Sequence, residues 1–308
     1  MLLNKTKNYD HPALGVLCLL VLLLLPAKVP AAGLDRAGMP FAPSRIVIAI
    51  MENRPYSRII GNPAAPYINS LARRGMLFTQ SYGITHPSQP NYLALFSGST
   101  QVVKGNECPA AVGGDNLAAS LLRAGRSFAI YSEAMPAVGY TGCAAGNYQR
   151  KHNPVVGWQQ GELAGGGGLP AAMNQPFSAF PSDPARLPTV SMVVPDQSND
   201  MHDGREPETI RRGDAWLATH LDAYVRWADA NNGLFILTFD EDDGSEGNRI
   251  VTLFTGAMVR PGTYSERIDH YRVLRTVLAL YGLKGIGQSE HFDPIEGIWK
   301  TPVGVRSR

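Results

Sequence analysis

Arg45-Ile-Val-Ile-Ala-Ile-Met51 runs directly into Glu52-Asn53, and the reading of this junction decides the fold. An unbroken aliphatic, β-branched run without polar alternation is a strand buried on both faces, as parallel sheets require. Working outward, similar runs occupy 76–82, 127–131, 189–194, 233–239 and 250–254. Helical spacing occupies 67–74 with Gly75 as its stop, 91–96 ending near Ser97-Gly98, 116–124 before Gly125, 214–231, and 271–281 before Gly282. Strands alternating with helices predict an α/β fold, a doubly wound, mostly parallel sheet flanked by helices on both faces. Gly165-Gly-Gly-Gly168 and the Pro-rich 170–188 stretch read as a long loop, so one domain is expected over 41–303.

The 308 residues carry 28 Lys+Arg against 26 Asp+Glu, with 44% hydrophobic and 18% charged residues. That balance excludes a disordered chain, and it offers no basic excess for a nucleic-acid backbone. Lys5 and Lys7 precede the apolar run 16–25, which stops at Pro26 before small residues at Ala31-Ala32. This is the pattern of a Sec-type secretory signal over 1–32, too short to span a bilayer, which needs about 20 apolar residues. Export to the periplasm or beyond is therefore expected, with no stable membrane anchor after cleavage. The leader takes three lysines and Asp10 with it, leaving 25 basic and 25 acidic residues. Two cysteines remain, Cys108 and Cys143, and in an oxidising setting they read as one disulfide, the alternative being two buried thiols.

In doubly wound sheets the site lies beyond the carboxyl ends of the strands. Here those ends carry Glu52-Asn53, then Thr85-His86-Pro-Ser88-Gln-Pro-Asn91-Tyr92, then Asp196-Gln-Ser-Asn-Asp200-Met-His202-Asp203, then Asp240-Glu241-Asp242-Asp243. Each alone has a plain structural reading: a helix cap, a Pro-flanked turn, satisfied histidines, a solvated acidic turn. Together they converge carboxylates on one crevice, where repulsion calls for a hard divalent cation. A metal lowers the pKa of a serine hydroxyl and aims its oxygen, and phosphoryl transfer needs such charge neutralisation above all. Asn91, read as opening a helix, is placed to donate its amide to a phosphate oxygen beside the helix N-terminus. His202 is the best candidate to protonate the leaving group.

These segments, with Met51-Glu-Asn-Arg54, Thr85-His-Pro-Ser-Gln-Pro-Asn-Tyr-Leu93, Tyr148-Gln-Arg-Lys-His-Asn-Pro154, Asn199-Asp-Met-His-Asp-Gly204 and Phe239-Asp-Glu-Asp242, resemble the phosphoesterase family of the alkaline-phosphatase superfamily. That group includes acid phosphatases and bacterial phospholipases C. The resemblance implies Ser88 as a nucleophile that becomes phosphorylated, and Glu52, Asn53, Ser88, Asp240 and Glu241 as ligands of one divalent metal, with Ca, Mg, Mn, Fe and Zn all open. It implies Lys151, His152 and His202 at the phosphate end of the cleft, and His86, Asn91 and Asp203 are further candidates to bind substrate. Two-metal members of the superfamily use an Asp and two His for a second ion, and Asp196, His202 and His291 would be the set. Glu52-Asn53 in place of their first-strand Asp, and Glu241 in place of their His, point instead to one metal.

A phosphatase acting on small phosphate monoesters is the leading expectation. A phosphodiesterase or phospholipase C on the same scaffold is the alternative, although no basic amphipathic helix for lipid is evident. A serine acyl hydrolase lacks its G-x-S-x-G elbow around Ser88. A non-catalytic metal- or phosphate-binding protein would have no use for a hydroxyl among its ligands.

Overall fold

The structure is a computed structural model and describes Met1 and residues 42–110, 112–159 and 168–300; the expected leader, 1–32, otherwise lies outside the described residues. The strands and helices run β1 (Ile46–Met51), α1 (Tyr56–Ile59), α2 (Pro66–Arg74), β2 (Met76–Tyr82), α3 (Ser88–Ser97), α4 (Leu117–Arg123) and β3 (Phe128–Ser132). They continue with β4 (Ala144–Ala145), β5 (Tyr148–Gln149), α5 (Val155–Gln159), β6 (Asn174–Pro176), β7 (Val190–Val194) and α6 (Glu208–Ala230). The last are β8 (Leu234–Phe239), β9 (Arg249–Thr255), β10 (Gly262–Tyr264), β11 (Ile268–Asp269) and α7 (His270–Leu280).

The main sheet is ordered β10-β2-β9-β8-β1-β7-β3-β6, with β11 also on β2. β1 lies at its centre and pairs in parallel with β8 and β7, Ile46 facing Leu234 on one side and Val190 on the other. This is the expected mostly parallel α/β sheet, and β9 is the exception. It runs antiparallel to both β8 and β2, because the short 240–248 connection allows a return but no crossover. Along β1, Ile46, Ile48 and Ile50 enter one core with α3, α4 and α7, while Val47, Ala49 and Met51 enter the other with α2 and α6. Period-two alternation thus buries both faces, which is why the run shows no polar residue.

Two boundaries differ from the sequence reading. α3 begins at Ser88 rather than Asn91: Pro87 caps it and Pro90 sits in its first turn, where a helix has no use for the missing N–H. α6 begins at Glu208, six residues before Asp214. Gly75 does not end α2 in a left-handed conformation, since its φ is −111°. It is glycine because a Cβ would stand 2.4 Å from the Phe254 carbonyl oxygen of β9. The loop expected over 170–188 does contain one short edge strand, β6, paired in parallel with β3.

A candidate metal-and-serine active site

The register of the central strands brings the site together. Met51 faces Phe239 across the β1–β8 pair, so Glu52 and Asp240 leave the sheet side by side, and the Asp240 N–H donates to the Met51 carbonyl at 2.9 Å. The Glu52 N–H donates to the Asp200 carbonyl at 2.8 Å, which ties in the loop after β7. Asn53 takes φ +51°, a left-handed conformation that asparagine tolerates better than most residues. From there its N–H reaches Asp240 Oδ1 at 3.1 Å.

Ser88, the first residue of α3, lies between two of these carboxylates. Its Oγ is 3.0 Å from Glu52 Oε2 and 3.0 Å from Glu241 Oε1, and it is 1% exposed. Glu52, Asp240 and Glu241 each present a ligand atom within 4.8 Å of one another. In this group Asn53 Oδ1 and Asp240 Oδ2 are buried and have no hydrogen-bond partner. Buried acceptors without donors are costly unless a cation meets them, so the donor set fits a divalent metal. Burial, then the nearby Asp200, pushes the Glu52 carboxyl up to about 8. Burial, then Glu52 and Glu241, drives Asp240 well up, and burial does the same to Asp200.

The expected ligands Glu52, Asn53, Ser88, Asp240 and Glu241 thus meet in one place, as do several residues expected at the substrate end. His202 lies near His152, with 6.4 Å between ring centroids; its Nδ1 is 2.7 Å from Asp203 Oδ1. Lys151 lines a small cavity with Gln89, the residue after Ser88. Its charge opposes the effect of burial on both Glu52 and Glu241.

Other expectations are corrected. Asn91 does not face a phosphate: its Oδ1 accepts from the Ile84 and Thr85 amides, and its Nδ2 donates to the Thr85 and Pro87 carbonyls. With α3 starting three residues earlier, this side chain lies inside the helix and holds the loop leading to Ser88. His86 has both ring nitrogens against carboxylates, Nδ1 2.6 Å from Glu241 Oε2 and Nε2 3.2 Å from Asp242 Oδ1, and so braces Glu241. Asp203 is largely exposed and orients His202. His152 is buried between Glu52 and Asp200 and stacks on Tyr92 at 5.1 Å; burial first, then the charges of Lys151 and His202, holds its pKa well down. The alternative second-metal set does not assemble. Asp196 Oδ1 accepts from the Ser198 and Asn199 amides of its own turn, and His291 is largely exposed beside Glu290.

Three residues at the site carried too little signal in the sequence to be chosen. Asp200 was one of several acidic residues after β7, and only burial distinguishes it. Tyr92 reads as a core aromatic. His270 heads α7 and lies 2.6 Å from the Asp240 carbonyl through Nε2, behind the acidic turn after β8. The cysteines are joined, Cys108 to Cys143.

A mostly parallel α/β sheet thus sets a buried serine among carboxylates beyond its strand ends. A protein of the alkaline phosphatase superfamily from Vibrio parahaemolyticus matches the fold at TM-score 0.58, covering 84% of this chain and 73% of its own, at 15% identity. The Phosphoesterase family model matches residues 61–284, and the chain belongs to that family. A Mycobacterium tuberculosis protein named phosphatidylinositol-3-phosphatase is 47% identical over 96% of this chain and 97% of its own length. An Aspergillus fumigatus acid phosphatase is 31% identical over 71% of this chain, which spans about half (51%) of that fungal protein. Among the described residues no helix is long and apolar enough to cross a membrane.

Proposed function

We propose that this phosphatase is exported, depends on a divalent metal, and hydrolyses phosphate monoesters through a phosphoserine at Ser88. The observation that carries the reading is the Ser88 hydroxyl, buried at a helix N-terminus between Glu52 and Glu241 among acceptors that lack donors. Glu52, Asn53, Ser88, Asp240 and Glu241 would hold the metal, which when bound supplies charge neutralisation at the reacting oxygens.

The chain's own groups do the rest. Ser88 Oγ attacks phosphorus as the bond to the leaving oxygen breaks, and the hydroxyl proton has two carboxylate acceptors at 3.0 Å. The N-terminal end of α3 favours the anionic phosphoryl group. His202 gives a proton to the leaving oxygen, its ring set by Asp203, and recovers one from the water that later cleaves the phosphoserine. Lys151 supplies positive charge on the open side.

The near-full-length mycobacterial relative favours one substrate class, a monoester phosphate on the inositol ring of a lipid headgroup. Ser88→Ala should lower turnover of an aryl phosphate and of phosphatidylinositol 3-phosphate at least about 10³-fold while the fold persists. Near-wild-type turnover by that variant refutes the mechanism. Faster hydrolysis of an aryl bis-ester or of phosphatidylcholine than of either monoester would move the chain to the diesterases.

A further inference from the structure

Glu52 has two carboxylate oxygens in two different surroundings. Oε2 accepts from the Ser88 hydroxyl at 3.0 Å. Oε1 lies 3.1 Å from His152 Nε2, and across the same imidazole Nδ1 lies 3.6 Å from Asp200 Oδ2. Glu52, His152 and Asp200 each offer a ligand atom within 4.8 Å of the others, and none of the three side chains is more than 3% exposed. Glu52 Oε1, His152 Nε2 and Asp200 Oδ2 all lack a hydrogen-bond partner.

Two buried carboxylate oxygens turned on the same imidazole with no aligned donor form an arrangement that a cation relieves and that water exclusion otherwise penalises. The local charge agrees. Glu52, Asp200, Asp240 and Glu241 are all buried. One divalent ion beside Ser88 leaves Oε1 of Glu52 and Oδ2 of Asp200 unmet, and an arriving phosphate adds further negative charge.

We propose that the chain binds a second divalent cation at Glu52, His152 and Asp200, with Glu52 bridging the two positions. This rests on the reading of Ser88, Glu52, Asp240 and Glu241 as a metal site. The two positions differ in kind. The one at Ser88 has oxygen donors alone and suits a hard cation, whereas an imidazole with two carboxylates suits Mn, Fe or Zn over Mg or Ca.

The test uses the full chain, stripped with chelator, equilibrated with Mn²⁺ and separated from free ion. Wild type should hold two Mn²⁺ per chain, with the exchange-coupled electron paramagnetic resonance spectrum of a carboxylate-bridged pair. Asp200→Asn and His152→Gln, each checked for cooperative unfolding, should each hold one with an uncoupled spectrum; either variant alone suffices should the other misfold. One Mn²⁺ per chain in wild type, or two in both folded variants, overturns the second position. The metal-dependent reading survives the first of these results provided Asp240→Asn loses the single ion. No bound Mn²⁺ in wild type overturns both.

Discussion

At the scale of the residue, Glu52 sets the behaviour of the metal-free protein. Unfolded, its carboxyl titrates near 4.5; folded, burial and Asp200 raise it to about 8. The folded state then holds the proton more tightly than the unfolded one. The resulting stabilisation is complete below about 4.5 and is lost as the pH rises through about 8. Asp240 and Asp200 are raised too and act in the same direction. Chelated protein should therefore show a melting temperature that falls across this window, and added divalent metal should flatten the profile by binding the ionised carboxylates. A chelated protein whose melting temperature rises across the same window contradicts this. Ser88 and the acidic residues at the strand ends were readable in the sequence because chemistry-bearing side chains directly after buried strands are rare by chance. Asp200 was not, since Asp196, Asp200 and Asp203 look alike in sequence and only the fold decides which is buried.

At the scale of the element, α2 is capped from another part of the chain. Its N-cap Ala65 offers no side-chain acceptor, and Asp214 of α6 accepts the Tyr67 and Ile68 amides at 2.9 and 2.8 Å. Asp214→Ala removes both acceptors from a buried helix end and should cost about 1–3 kcal/mol. In a chain of this size that is roughly 2–10 °C in melting temperature, with kcat unchanged. A thermal melt beside a phosphatase assay checks both halves, and a variant as stable as wild type shows that the α2 end is satisfied otherwise. This capping also explains the misplaced start of α6. An aspartate ahead of an apolar periodic stretch reads as an N-cap, yet Asp214 lies inside α6 and caps a different helix. Just before it, Gly213 lets α6 pass the loop that carries Asp200, where a Cβ would stand 2.5 Å from Met201 Cγ and 2.8 Å from the Asn199 carbonyl oxygen. The long strands were legible from their aliphatic runs. β10, β11 and β6 were not, because two or three residues carry no period and become strands only through the neighbour they pair with.

At the scale of the molecule, the Cys108–Cys143 bridge spans 35 residues and fastens the loop after α3 to the segment that leads into Lys151 and His152. That first loop also holds Asn106, whose Oδ1 accepts the Gln89 amide beside Ser88. A loop of this length predicts about 4 kcal/mol of stabilisation from the restricted unfolded chain. The double substitution Cys108→Ser/Cys143→Ser should therefore lower the denaturant midpoint and raise KM more than it lowers kcat. An unchanged midpoint would show that the bridge restrains little. The overall architecture was legible because every strand of the parallel centre carries its own unbroken aliphatic run; which strands become neighbours was not, since that depends on pairings between distant parts of the chain.

Those distant pairings govern when the enzyme comes into being. β1 is among the first elements to leave the ribosome, yet its partners are residues 190–193 and 234–239. Ser88 precedes Glu241, against which it is set, by 153 residues. A nascent chain therefore carries Ser88 long before it has Asp240 and Glu241, and a fragment ending before β8 has neither the strand nor the acidic turn that follows it. The serine and its two carboxylate partners can meet only once residue 241 has been made.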